Sequence, residues 1–135
     1  MKLKILNFDS LGDERGDLVS LESNLNIPFE IKRVYYLFDT DTDSVRGFHA
    51  HYELKQVVIA LKGQCTFHLD DGKEKQVVVL NSPLKGLLIE SFLWREMSDF
   101  SDDCVLLVIA SQHYDEADYI RNYEEFLKEA SQNDT

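Results

Sequence analysis

The chain has 135 residues, and 14 Lys plus Arg stand against 25 Asp plus Glu, a formal net charge of −11. That length suits one domain, so residues 1–135 are read as a single unit able to bury its own core. So acidic a balance argues against nucleic acid and anionic membranes as partners, because both reward net positive charge.

In chain order, Met1 to Phe8 lacks the apolar block of a signal peptide. The longest apolar run, Val105 to Ala110, is far short of the ~20 residues that span a bilayer. A cytoplasmic location with no membrane contact is the expectation. Ile31 to Phe38 reads as a strand, with Val34, Tyr36 and Phe38 on one face and Arg33, Tyr35 and Leu37 on the other. A polar loop follows over 39–44. Val57 to Leu61 is the next strand, stopped by Lys62-Gly63. Gln64 to Leu69 alternates, with Cys65, Phe67 and Leu69 facing one way and Thr66 and His68 the other. Asp70-Asp71-Gly72 is a hairpin signal, after which Lys75 to Leu80 returns. Gly86 to Glu90 forms a further strand, and Val105 to Ala110 reads as a fully buried one. Only the tail, Asn122 to Ser131, has helical spacing, carried by Tyr123, Phe126, Leu127 and Ala130.

Many short strands predict an all-β fold, a small barrel or jelly roll closed on itself, with one short C-terminal helix. Its interior is where a small ligand would bind. Cys65 and Cys104 each sit in an apolar stretch and read as buried thiols, which suits a reducing compartment.

The densest chemical signal is Arg46-Gly47-Phe48-His49-Ala50-His51, running on to Gln56. In an extended segment His49 and His51 share a face, about 7 Å apart along the strand. Two imidazoles converging on one pocket serve either metal ligation or proton transfer. Here the sequence resembles the cupin superfamily, whose first motif fits His49, His51, Gln56 and Gly63, and whose second is echoed by Pro83 and Gly86. Gln56 stands where a Glu ligand is usual, and Ile89 where the last His should fall. Two ligands of four are too few for a typical site, so neither metal nor cofactor is expected. An unliganded His suits proton transfer at neutral pH, beside a carbonyl whose enolate is met by hydrogen-bond donors. Tyr35 or Tyr36, Arg46 and Arg15 are the candidate donors, and strand alternation lets only one of the tyrosines point inward.

Four blocks narrow the resemblance: Asp13 to Leu18, Ile27 to Tyr36, Arg46 to His51, and Tyr114 to Arg121. Together they resemble the sugar 3,4-ketoisomerases, the WxcM-like family, over residues from about 5 to 127. The resemblance implies a metal-free cupin that converts a dTDP-4-keto-6-deoxyhexose to its 3-keto isomer, supplying 3-amino sugars for surface polysaccharides. It also implies a homodimer with exchanged N-terminal strands. On this basis His49 is favoured as base and His51 as its partner, although the sequence leaves their order open. Tyr36 is taken as the acid. Arg15, Arg33, Tyr35, Arg46, Gln56, Arg95 and Arg121 are expected to bind substrate, since guanidinium forks suit a diphosphate. Rival readings are a nucleotide-sugar 3,5-epimerase and a non-catalytic sugar-nucleotide sensor; a metal-dependent oxygenase comes last.

Overall fold

The computed structural model describes residues 1–133. Ten strands and one helix follow in chain order: β1 Lys4–Asn7, β2 Arg33–Leu37, β3 Arg46–His51, β4 Gln56–Lys62, β5 Cys65–Asp70, β6 Lys75–Leu80, β7 Lys85–Ile89, β8 Trp94–Ser98, β9 Val105–Ala110, β10 Tyr119–Ile120 and α1 Tyr123–Asn133. A 3₁₀ turn, Glu116–Asp118, precedes β10. The strands make two five-stranded sheets, β1-β7-β4-β9-β2 and β10-β3-β8-β5-β6, in which the neighbours pair antiparallel. No described helix is long and apolar enough to cross a membrane.

The alternation read from the sequence decides which side chains meet. Cys65, Phe67 and Leu69 of β5 are buried against Val58 and Ala60 of β4 and Leu106 and Val108 of β9, forming the core between the sheets. The β5–β6 hairpin closes where expected: Gly72 adopts φ +95, and its N–H donates to Asp70 Oδ1 at 2.8 Å. A second apolar layer lies on the outer face of the first sheet. There Phe8, Ile27 and Phe29, from the long segment between β1 and β2, cover Val57, Ile59 and Ile109.

α1 covers the outer face of the second sheet. Its Phe126 and Ala130 pack on Ala50, Trp94 and Ile120. Trp94 is therefore core beneath the helix, with its ring 5.3 Å from Tyr123 and 5.6 Å from Phe126. Cys65 and Cys104 are buried free thiols, and burial pushes the Cys65 thiol up to about 12. Beside this core a cavity opens between the sheets, bordered by the core residues Val58, Phe67 and Ile89.

Candidate active site

The site begins with an irregularity in β3. Gly47 pairs with Glu96 and His49 with Arg95, so Phe48 is an extra residue with no partner on β8. Gly47 and Phe48 take φ +95 and +60, the backbone of a β-bulge. A Cβ on Gly47 would lie 2.7 Å from the backbone oxygen of Arg95, so only glycine permits this approach. The bulge turns Phe48 outward, 45% exposed, and aims His49 between the sheets.

The two imidazoles meet edge to face, with ring centroids 5.0 Å apart. His51 is 1% exposed and sealed behind His49, against Tyr119 at 4.4 Å. Its Nδ1 lies 3.2 Å from Asp118 Oδ2, off the line of a full hydrogen bond. That carboxylate is anchored by the Glu53 and Leu54 N–H groups, which donate to it at 3.0 and 3.1 Å. His49 Nδ1 lies 3.1 Å from the Gly47 carbonyl oxygen, which can only accept. Nδ1 therefore carries the proton, and Nε2 keeps its lone pair. Burial, then the Arg95 guanidinium, pushes His49 down to about 4. The same two causes, followed by His49 itself, push His51 to about 2. Both rings are neutral at pH 7.

His49 opens on a cavity of about 600 Å³. The first sheet contributes Arg33, Tyr35 and Gln56, and the second contributes Arg46, Arg95 and Tyr119. Arg95 is 2% exposed, its Nη1 donating to Gln56 Oε1 at 2.6 Å and its Nη2 to the Leu93 carbonyl at 2.9 Å. Burial lowers its guanidinium to about 10, still charged at pH 7. Arg33 stacks over Tyr35 at 5.2 Å and Tyr114 at 5.7 Å. Arg121 stacks over Tyr119 at 4.1 Å and pairs with Glu116 at 2.7 Å, which holds that carboxyl down at about 2. Burial raises the Tyr35 phenol, so it is a donor at pH 7. The chemistry on offer is a neutral base facing four guanidinium groups, suited to an anionic ligand that yields a proton.

Of the residues expected from sequence, the fold brings His49, Tyr35, Arg33, Arg46, Gln56, Arg95 and Arg121 to one cavity. Three of the expected residues have surroundings that the sequence does not show. Tyr36 is 65% exposed and packs on Phe38 at the cavity mouth; the phenol pointing inward is Tyr35, because that face of β2 also carries the inward Arg33 and Leu37. Arg15 lies outside the cavity, its side chain 86% exposed and paired with Asp13 at 2.6 Å. Gln56 is held at both ends by protein, since its Nε2 donates to the Tyr35 hydroxyl at 2.9 Å. Asp118, Tyr119 and Tyr114 also belong to the site, although no sequence signal singles them out. All three fall inside the Tyr114 to Arg121 block, but only the β10–β3 pairing, Tyr119 opposite His51, reveals their place.

A cupin metal does not fit these side chains. The oxygen of Gln56, the side chain in the usual ligand position, is taken up by the Arg95 guanidinium, and that buried positive charge would repel a cation held beside it. Among the described residues no three His, Cys, Asp or Glu groups cluster as a ligand set.

Fold and site together define a cupin-type jelly roll whose pocket carries acid–base groups and a ring of guanidinium charge. The chain belongs to the family described as FdtA: WxcM-like, C-terminal, which matches residues 1–131. It is 53% identical over 128 residues to the TDP-4-oxo-6-deoxy-alpha-D-glucose-3,4-oxoisomerase of Aneurinibacillus thermoaerophilus, covering 95% of this chain and 92% of that one. The WlaRB TDP-quinovose 3,4-ketoisomerase from Campylobacter jejuni superimposes with a TM-score of 0.90 at 53% identity, over 93% and 97% of the two chains. A histidine-to-asparagine mutant of the 3,4-ketoisomerase QdtA from Thermoanaerobacterium thermosaccharolyticum, in complex with TDP-4-keto-6-deoxyglucose, superimposes with a TM-score of 0.93. Its identity is 44%, over 96% and 94% of the two chains.

Proposed function

We propose that this chain is a sugar-nucleotide isomerase that moves the ketone of TDP-4-keto-6-deoxyglucose from carbon 4 to carbon 3. The observation that carries the reading is His49, a neutral imidazole whose free Nε2 opens on a cavity ringed by guanidinium groups. The proton on carbon 3 is acidified by the neighbouring ketone. His49 Nε2 takes it, and the electron pair moves onto the carbon 4 oxygen to give an enediolate. Tyr35 and Arg95 face that charge with an O–H donor and a buried cation. His49 then returns a proton to carbon 4, while the hydroxyl proton leaves oxygen 3 and oxygen 4 gains one. Atoms and electrons balance without a co-reactant. His51, sealed off the wall, braces His49 from behind. In this reading Arg33, Arg46 and Arg121, which line the cavity, hold the diphosphate, and the exposed ring of Tyr36 or Phe38 stacks on the thymine.

The test is incubation with TDP-4-keto-6-deoxyglucose in deuterated water, followed by NMR. A ketone appearing at carbon 3, with deuterium at carbon 4, supports isomerisation. Deuterium at carbon 5 with the ketone unmoved would point to an epimerase instead. His49→Asn should abolish turnover while TDP still binds.

The same reading makes the working unit a cytoplasmic homodimer with exchanged N-terminal strands, residues 1–135 forming one domain. Two buried free thiols favour a reducing compartment. Within one chain Arg15 lies outside the cavity, so an Arg15 that reaches the sugar comes from the other subunit. Mixing inactive His49→Asn subunits with inactive Arg15→Ala subunits should then restore part of the activity. Arg15→Ala that is fully active alone would remove Arg15 from the site.

A further inference from the structure

The inward phenol and the buried guanidinium are joined through one side chain. Gln56 lies in β4, the central strand of the first sheet, opposite Ile89 on one side and Ala110 on the other, and is 3% exposed. Its Oε1 accepts from Arg95 Nη1 at 2.6 Å and its Nε2 donates to the Tyr35 hydroxyl at 2.9 Å. A guanidinium has donors only, so the amide has one permitted orientation: oxygen toward Arg95, nitrogen toward Tyr35. A phenol oxygen that accepts this bond keeps its own proton for another acceptor. No described protein group takes it, and Tyr35 lines the cavity.

We infer that Gln56 is a positioning residue, an amide whose polarity, fixed by Arg95, makes Tyr35 a hydrogen-bond donor into the cavity. That the acceptor is the enediolate oxygen rests on the isomerase reading; the direction of the relay stands on geometry alone. The bond is donated and no proton is transferred. The inference also accounts for an amide at the position where a cupin would carry a ligand carboxylate. An ionised Glu there would only accept, and it would draw the Tyr35 proton inward, away from the sugar.

The decisive variant is Gln56→Glu, assayed with EDTA because a carboxylate beside two histidines completes a metal-ligand set. The first readout needs no activity: the Tyr35 titration, followed by NMR on protein labelled at tyrosine Cζ and assigned with Tyr35→Phe. The Gln56 hydrogen bond holds the phenol lower than burial alone would. Gln56→Glu should therefore raise it by about one unit or more. The second readout is turnover. Gln56→Glu should lower kcat at least about tenfold, with the Kd for TDP within about twofold of wild type. In a Tyr35→Phe background the same change should cost kcat less than about twofold, since the donor it acts through is gone. Gln56→Met, which keeps the shape and removes both polar ends, serves where the carboxylate prevents folding, and the same comparison with Tyr35→Phe applies. An unmoved Tyr35 titration, or an equal loss with and without Tyr35, overturns the inference. A wild-type protein that fails to move the ketone overturns the isomerase reading and leaves the titration test intact.

Discussion

At the scale of single residues, the site is set by which atoms are already committed. His49 gives its Nδ1 proton to Gly47 and keeps Nε2 free, at a pKa of about 4. A base must be unprotonated to act, so the acid limb of kcat/KM should fall with a midpoint nearer 4 than 6.5. Initial rates at low substrate from pH 8 to 4, with Trp94 fluorescence reporting the fold, would check this; a limb at 6.5 would contradict it. His51 carries the same shift into stability. Its folded value of about 2 lies below the unfolded value near 6.5. Its contribution is thus complete above pH 6.5 and is lost as pH falls, by about 1.4 kcal/mol per unit. In His51→Gln, the decline of unfolding free energy between pH 6.5 and 4 should be shallower by about that slope, read from denaturant melts. The tyrosines mark a limit of sequence at this scale. Alternation separates Tyr35 from Tyr36, but both faces of β2 carry large side chains, so the pattern does not name the inner one.

At the scale of elements, strands whose inner face is wholly or mostly apolar were legible: β5 with Cys65, Phe67 and Leu69, β6 with Val78 and Leu80 beside Gln76, and β9. β8 was not, because its inward positions are Arg95 and Met97 while Trp94 faces α1, which hides the apolar alternation. β10 is two residues long and leaves no period to find. The β3 bulge was equally hidden, since the HxH spacing alone places the rings on one face without saying how they are aimed. Its glycine supplies a test. Gly47→Ala must accommodate φ +95 and a Cβ 2.7 Å from a backbone oxygen, so it should cost about 1–3 kcal/mol of stability. It should also lower kcat more than about tenfold, because His49 swings off its aim. Gly72→Ala is the control, strained at the same φ but beside Ala130 of α1, away from the cavity. It should lower Tm while kcat stays within about twofold. Equal kinetic behaviour of the two variants would mean that the bulge does not aim His49.

At the scale of the whole molecule, a net charge of −11 would repel an anionic ligand if charge acted only as a sum. Four of the five arginines, Arg33, Arg46, Arg95 and Arg121, line one cavity, while Arg15 stays outside it within a single chain. Salt separates the two influences. The screening length is about 10 Å at 0.1 M, so distant surface carboxylates are silenced first and guanidinium groups touching a diphosphate last. If net charge governed binding, added salt would tighten TDP. If the cavity governs it, salt weakens TDP throughout, because each Arg–phosphate contact loses strength as ions compete for it. Calorimetric titration with TDP from 20 to 300 mM NaCl (about one Debye regime to the next) should give a Kd that rises steadily with salt. Arg46→Ala should flatten that rise as well as raise Kd, since one of the competing contacts is gone. A Kd that falls with salt in the wild-type protein would return control to the acidic surface and leave the guanidinium ring without its assigned ligand.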